Sequence, residues 1–172
     1  MLGACSSSAA HGASSKPTTT TVARSAADLV TAGLAAQKAG RADEAIADFR
    51  HAIALDRKNA YAHYDLGTVE QQRGDRMHAQ LEYRAAIAAN PNLVPALFNL
   101  ATLEAASNPT EAASLYRPVI ALDPGNASAH LNLGLALAKV HDPAATAELR
   151  TAAKLDPALA PRVRQYLSAT SN

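Results

Sequence analysis

Apolar residues recur at three- and four-residue spacing from Ala26 to Leu167, the period of helices that each bury one face. The runs are roughly 12 to 15 residues long, an ordinary helix length. Between them stand turn and stop residues. Gly40, Gly74 and Asn108 tolerate a positive φ. Pro91, Pro124 and Pro157 close helices. Asn108-Pro109 and Asp142-Pro143 each place a capping side chain before a proline at the first helical position. Leu66, Val69, Ile87 and the Tyr83 ring are expected to meet across one helix pair, where Gly67 lets two backbones approach. Pro118 lies inside a predicted helix, where it removes a hydrogen bond and costs about 3 kcal/mol. A kink near Ser114 is expected, read as a tolerated defect rather than a hinge. Residues 159–168 predict one more helix, with Leu159, Val163, Tyr166 and Leu167 inward and Arg162, Arg164 and Gln165 in water.

The helical pattern is itself periodic. Thr31-Ala32-Gly33, Asp65-Leu66-Gly67, Asn99-Leu100-Ala101 and Asn132-Leu133-Gly134 follow one another at 34, 34 and 33 residues. Later in each unit come Ala45 and Phe49, Ala79 and Tyr83, Ala112 and Tyr116, Ala145 and Leu149. A third marker closes each unit: Leu55-Asp56-Arg57, Ala89-Asn90-Pro91, Leu122-Asp123-Pro124 and Leu155-Asp156-Pro157.

In these residues the chain resembles the tetratricopeptide-repeat family. The family pattern has Leu-Gly in a first helix, a small residue opening the second, an aromatic four positions on, another small residue, and a closing proline. Ala52, Ala86 and Ala152 hold the next small position, with Val119 in the third unit. Leu149 replaces the last aromatic and Arg57 the first closing proline. The family's tryptophan is replaced by His63, Leu97 and His130. The resemblance implies an all-α, right-handed solenoid of four helix-turn-helix repeats, 26–59, 60–93, 94–126 and 127–159. A capping helix and tail at 160–172 would cover its last apolar face.

Composition narrows the rest. The chain has 172 residues, 16 basic and 15 acidic, for a formal net charge of +1. That argues against a nucleic-acid footprint, which needs a basic excess. Alanine makes up roughly a quarter of the chain and aromatics 4%, which suits close helix packing and not a β-sandwich. One cysteine excludes an intrachain disulfide framework. Residues 1–25 are rich in serine and threonine and have no acids, so they read as a disordered linker.

Catalytic chemistry has no foothold here. Phosphate-binding glycine loops, His-Glu-x-x-His and Gly-x-Ser-x-Gly are absent from the chain. The six histidines do not fall at metal-ligand spacing; His63 and His130 are repeat equivalents, too far apart for one ion. The expectation is a chain that is not an enzyme and holds no metal or cofactor.

Leu2-Gly3-Ala4-Cys5 resembles the lipobox of bacterial lipoproteins, in which the cysteine is lipidated. Only four residues precede Cys5, so export needs a basic and apolar stretch upstream of Met1. The solenoid resemblance implies a groove lined by the first helices. It is made by Val30, Thr31, Leu34 and Gln37; Tyr61, Tyr64, Asp65 and Thr68; Phe98, Asn99 and Thr102; and Leu131, Asn132 and Leu135. Tyr61, Tyr64 and Phe98 are expected to form an apolar platform. Asn99 and Asn132 either read a peptide backbone or bond neighbouring helices. The implied function is a monomeric scaffold for a protein or peptide partner. Two settings stand open: a membrane-tethered, extracytoplasmic lipoprotein serving an envelope complex, or a soluble cytoplasmic adapter.

Overall fold

The structure, a computed structural model, describes residues 24–169. They form α1 (Ala26–Lys38), α2 (Ala42–Leu55), α3 (Ala60–Gln72), α4 (Arg76–Ala89), α5 (Val94–Glu104), α6 (Pro109–Leu122), α7 (Ala127–Lys139), α8 (Ala145–Leu155) and α9 (Ala160–Ala169). A 3-10 turn, Pro157–Leu159, precedes α9, and no strand occurs among the described residues. Each helix packs on its sequence neighbours, and α1 also reaches α3. Four hairpins therefore stack in line, and α9 closes the end.

One bulky side chain per hairpin carries the core. Phe49, Tyr83, Tyr116 and Leu149 are all but fully buried. Each lies over a small residue of its partner helix. A Cβ on Gly33 would stand 2.6 Å from the Phe49 ring, one on Gly67 3.0 Å from Tyr83, and one on Gly134 2.7 Å from Leu149. Buried Ala101 holds this place in α5. Glycine here exchanges helix propensity for contact distance.

Leu66 and Val69 differ from expectation. They pack backward, with Phe49, Ala36 and Ala45 of the first unit. Tyr83 instead clusters with Ala79, Leu100 and Leu103, with Ile87 and Tyr64 alongside. Helical geometry explains it: neighbouring residues point about 100° apart. Leu66 and Val69 share one face of α3, while Tyr64, Thr68 and Gln71 turn toward Tyr83.

The turns also differ in part. Gly40 and Gly74 take φ of +73° and +82°. Asn108 does not; its φ is −139°, and its side chain caps α6 by accepting from the Glu111 amide. In the last unit the left-handed residue is His141, at φ 56°. There α8 begins at Ala145 rather than at Pro143. Asp142 accepts from the Ala144 amide at 2.9 Å, closing a separate turn ahead of the helix. α6 continues through Pro118, so the proline does not break it.

His63 and His130 have structural roles. Nδ1 of each lies 2.6 Å from a carboxylate on the second helix, Glu82 or Glu148. Nε2 donates to the carbonyl of Arg57 or Pro124 at 3.2 Å. Each imidazole ties the entering loop to both helices of its hairpin. At the end of the array, Val163 of α9 is buried in a cluster with Leu131, Leu149 and Ala152.

Replacing Tyr83 tests this account of the core. Tyr83→Ala is expected to cost about 3 to 5 kcal/mol, the range for a buried aromatic. Urea unfolding followed by circular dichroism measures it, and a loss below about 1 kcal/mol would reject a central role for the ring.

Candidate functional site

The first helices of the hairpins, α1, α3, α5 and α7, present the groove residues. Thr31, Leu34, Tyr61 and Thr102 are exposed; Tyr61 keeps 60% and Leu34 43% of its surface. Val30, Gln37, Tyr64, Asp65, Thr68, Phe98, Asn99, Asn132 and Leu135 are half-buried. Leu131 is buried, in the cluster that α9 completes.

The three groove aromatics do not form one platform. Tyr64 tilts against Tyr83, with ring centres 6.0 Å apart. Phe98 meets Tyr116 edge to face at 5.5 Å. Both rings therefore brace the core from the groove side, and Tyr61 alone stands out to solvent.

A polar seam runs beneath them. The Tyr83 hydroxyl donates to Gln71 Oε1 at 2.7 Å and lies 3.4 Å from Thr68 Oγ1. The Asn99 amide donates to the same hydroxyl at 3.3 Å. One unit on, the Tyr116 hydroxyl lies 3.0 Å from Thr102 Oγ1 and bonds the Asn132 side chain. Thr102 donates its own proton to the Phe98 carbonyl, so Tyr116 is the donor to Thr102. Burial pushes both phenols above their ordinary range. Asn99 and Asn132 thus bond the preceding repeat.

Asp65 holds the equivalent position in the second unit but has no such partner. The preceding unit supplies Phe49, which has no hydroxyl. No hydrogen bond or ion pair holds Asp65 among the described residues. Desolvation by burial raises its carboxyl from the ordinary 3.8 to about 6.

Clefts open along the groove toward its C-terminal end. One, of about 350 Å³, is lined by Val94, Pro95, Phe98, Asn99, Asn126 and Ser128. A second, of about 230 Å³, includes Thr102, Tyr116, Asn132, Leu135 and Tyr166. A third, of about 300 Å³, lies between Leu131, Leu135 and α9, and again includes Tyr166. Tyr166 lines both of these clefts and is not among the groove positions expected from the sequence. Its spacing from Val163 marks it as inward-facing, and the pattern alone assigns it to the cap's core. No group of three histidine, cysteine or acidic side chains able to hold a metal occurs among the described residues. Nor is any described helix long and apolar enough to cross a membrane. Cys5 lies outside the described residues.

Family models described as TPR repeat and tetratricopeptide repeat match residues 33–74 and 102–160. No curated protein matches the chain by sequence. Among solved structures, a MamA protein is similar at 23% identity and a TM-score of 0.69, over 79% of this chain and 75% of that one. MamA from Desulfovibrio magneticus RS-1 gives 19% and 0.70, over 77% and 76%. The first TPR domain of Spaghetti (RPAP3), bound to the HSP90 peptide SRMEEVD, gives 22% and 0.61, over 67% and 94%. At these identities the likeness establishes the shared fold.

The unpartnered carboxyl predicts a pH dependence. Because its folded pKa lies above its unfolded value, Asp65 favours the folded state least above about pH 6 and carries no penalty below 3.8. The full linkage is about 3 kcal/mol, and solvent at a half-buried group reduces it to about 1. Asp65→Asn should therefore match wild type in acid and exceed it by about 1 kcal/mol near neutrality. Urea melts of both proteins across this range measure it; a difference independent of pH would contradict the assignment.

Proposed function

The chain carries tetratricopeptide repeats, and on that premise we propose that it is a protein-interaction scaffold whose concave groove takes a segment of a partner protein. The observation that carries this is the run of clefts from Phe98 to Tyr166. Their floors are apolar rings and leucines, and their rims carry amides, hydroxyls and the basic side chains of Lys139 and Arg162. Apolar floors with a few polar groups suit an extended or helical peptide.

The charge of the groove narrows the partner. The peptide bound to Spaghetti carries two glutamates and an aspartate. Among the groove positions named above, Asp65 alone is charged, and it is negative. Around Asp65 a strongly acidic segment of that kind suits the groove poorly, whereas Lys139 and Arg162 line the clefts at its C-terminal end.

The proposal extends to location. Leu2-Gly3-Ala4-Cys5, followed by a serine- and threonine-rich stretch, supports a lipidated Cys5 that tethers the scaffold to a membrane, where it serves an envelope complex. More than one acyl chain is needed for a stable anchor.

Two experiments test these readings. Tyr61→Ser with Ser128→Arg changes two exposed groove positions, so the melting temperature should stay within about 2 °C. Partner capture should weaken at least about tenfold; undiminished capture would move the binding face to the convex side. For the tether, the gene is expressed with its own upstream region, as wild type and as Cys5→Ser. Wild type should fractionate with membranes and the variant should not; identical soluble fractions would reject lipidation.

A further inference from the structure

The first and second units differ from the others at the seam that joins them. In units three and four the residue before the Leu-Ala or Leu-Gly step is asparagine, and its amide is spent on the hydroxyl of the preceding tyrosine. In unit two it is Asp65, and the preceding aromatic is Phe49. The substitution is paired: the hydroxyl is lost on one side, and on the other an amide is replaced by a group that can only accept when ionised. A purely structural seam over Phe49 would be served by an apolar side chain. The carboxylate is instead half-buried with no donor among the described residues.

The surroundings suit a cation with an apolar stem. Tyr61 precedes Asp65 by four residues on α3, so the two lie on one helix face. Tyr61 is largely exposed, and its ring face attracts an ammonium or guanidinium. Leu34, on the neighbouring inner helix α1, is also exposed and offers a surface for methylene groups. Arg162, which lines the cleft beside α9, stands at the far end of the array, in the last of the clefts. A single carboxylate does not make a metal site, and no metal-binding group of three occurs among the described residues.

We infer that the N-terminal part of the groove selects a partner segment that places a lysine or arginine on Asp65, with apolar residues beside it. The inference rests on the groove reading above and names the chemistry of the partner. Ionised Asp65 supplies the acceptor that the cation needs, from a half-buried position. Binding in turn supplies the donor that the seam lacks, which returns the carboxyl toward its ordinary range. The contrast with Asn99 and Asn132 makes this selectivity local: neither amide carries a charge, so the basic residue has one register along the groove.

The experiment selects random dodecapeptides displayed on phage against the full chain and against Asp65→Asn. Asparagine is the residue of units three and four at this position, so the variant keeps the fold; thermal melts verify that. Selected sequences are then synthesised with lysine, with norleucine and with glutamine at the enriched position, and their affinities are measured by fluorescence anisotropy. Wild type is expected to enrich a basic residue and to prefer lysine over norleucine about tenfold, or about 1.4 kcal/mol. Asp65→Asn should lose that preference while binding the norleucine peptide as wild type does. Binders without basic enrichment, or with equal preference in both proteins, would overturn the inference and leave the groove reading standing. Failure to enrich any peptide would overturn both. If the sole ligand is a synthetic peptide of residues 9–23, which contains Lys16, the occupant is the chain's own N-terminal segment and the inference of a separate partner fails.

Discussion

A bulky side chain seated on a glycine or alanine is the contact on which the other packing depends. Phe49, Tyr83, Tyr116 and Leu149 set how closely the two helices of each hairpin approach. That spacing fixes which face of each first helix turns back to the previous hairpin and which turns to the groove. A solenoid has no central core to correct an error, so each hairpin must be right by itself. Chains with so few aromatics leave little redundancy: the four seats account for three of the seven aromatic residues.

The repeat frame was legible because that seat needs the same residue types every 33 or 34 positions. The capping helix was legible for the same reason, as an apolar stripe with a polar back. Directions around a helix were not. Leu66 and Val69 lie within two residues of Gly67, but they serve the neighbouring hairpin. The glycine rule for turns found Gly40 and Gly74 and failed at Asn108, because a cap and a left-handed residue draw on the same side chain. His141 took the left-handed place without a sequence mark that distinguishes it from any other exposed histidine.

Helix membership was legible more than exposure. The family frame placed Tyr64 and Phe98 on the inner helices, and both are there. Which way a ring leans depends on its partner in the second helix, and Tyr83 and Tyr116 draw those two rings down. Asn99 and Asn132 had two readings from sequence, and their bonds to the preceding tyrosine could be seen only with neighbouring repeats in place. Tyr166 belonged to the cap by pattern and to the groove by geometry, since the last helix of a stack touches both.

The tyrosine-to-asparagine bond also has a bearing on how such an array can be rearranged. The hydroxyl comes from one unit and the amide from the next, so the pair is a joint between units and belongs to neither. A gene that moved the third unit to directly follow the first would bring Asn99 over Phe49 and strand its amide. The same deletion would remove Tyr83, the hydroxyl that Asn99 now meets. The hairpins look alike, yet they are ordered: the second, third and fourth carry halves of locks whose other halves lie in their present neighbours. Duplication of the Tyr116–Asn132 junction preserves a match at every new joint, whereas recombination through the Phe49–Asp65 junction does not. Copying the third unit, which carries both Asn99 and Tyr116, therefore lengthens the array with every new joint matched, whereas copying the last, which ends on Leu149, does not.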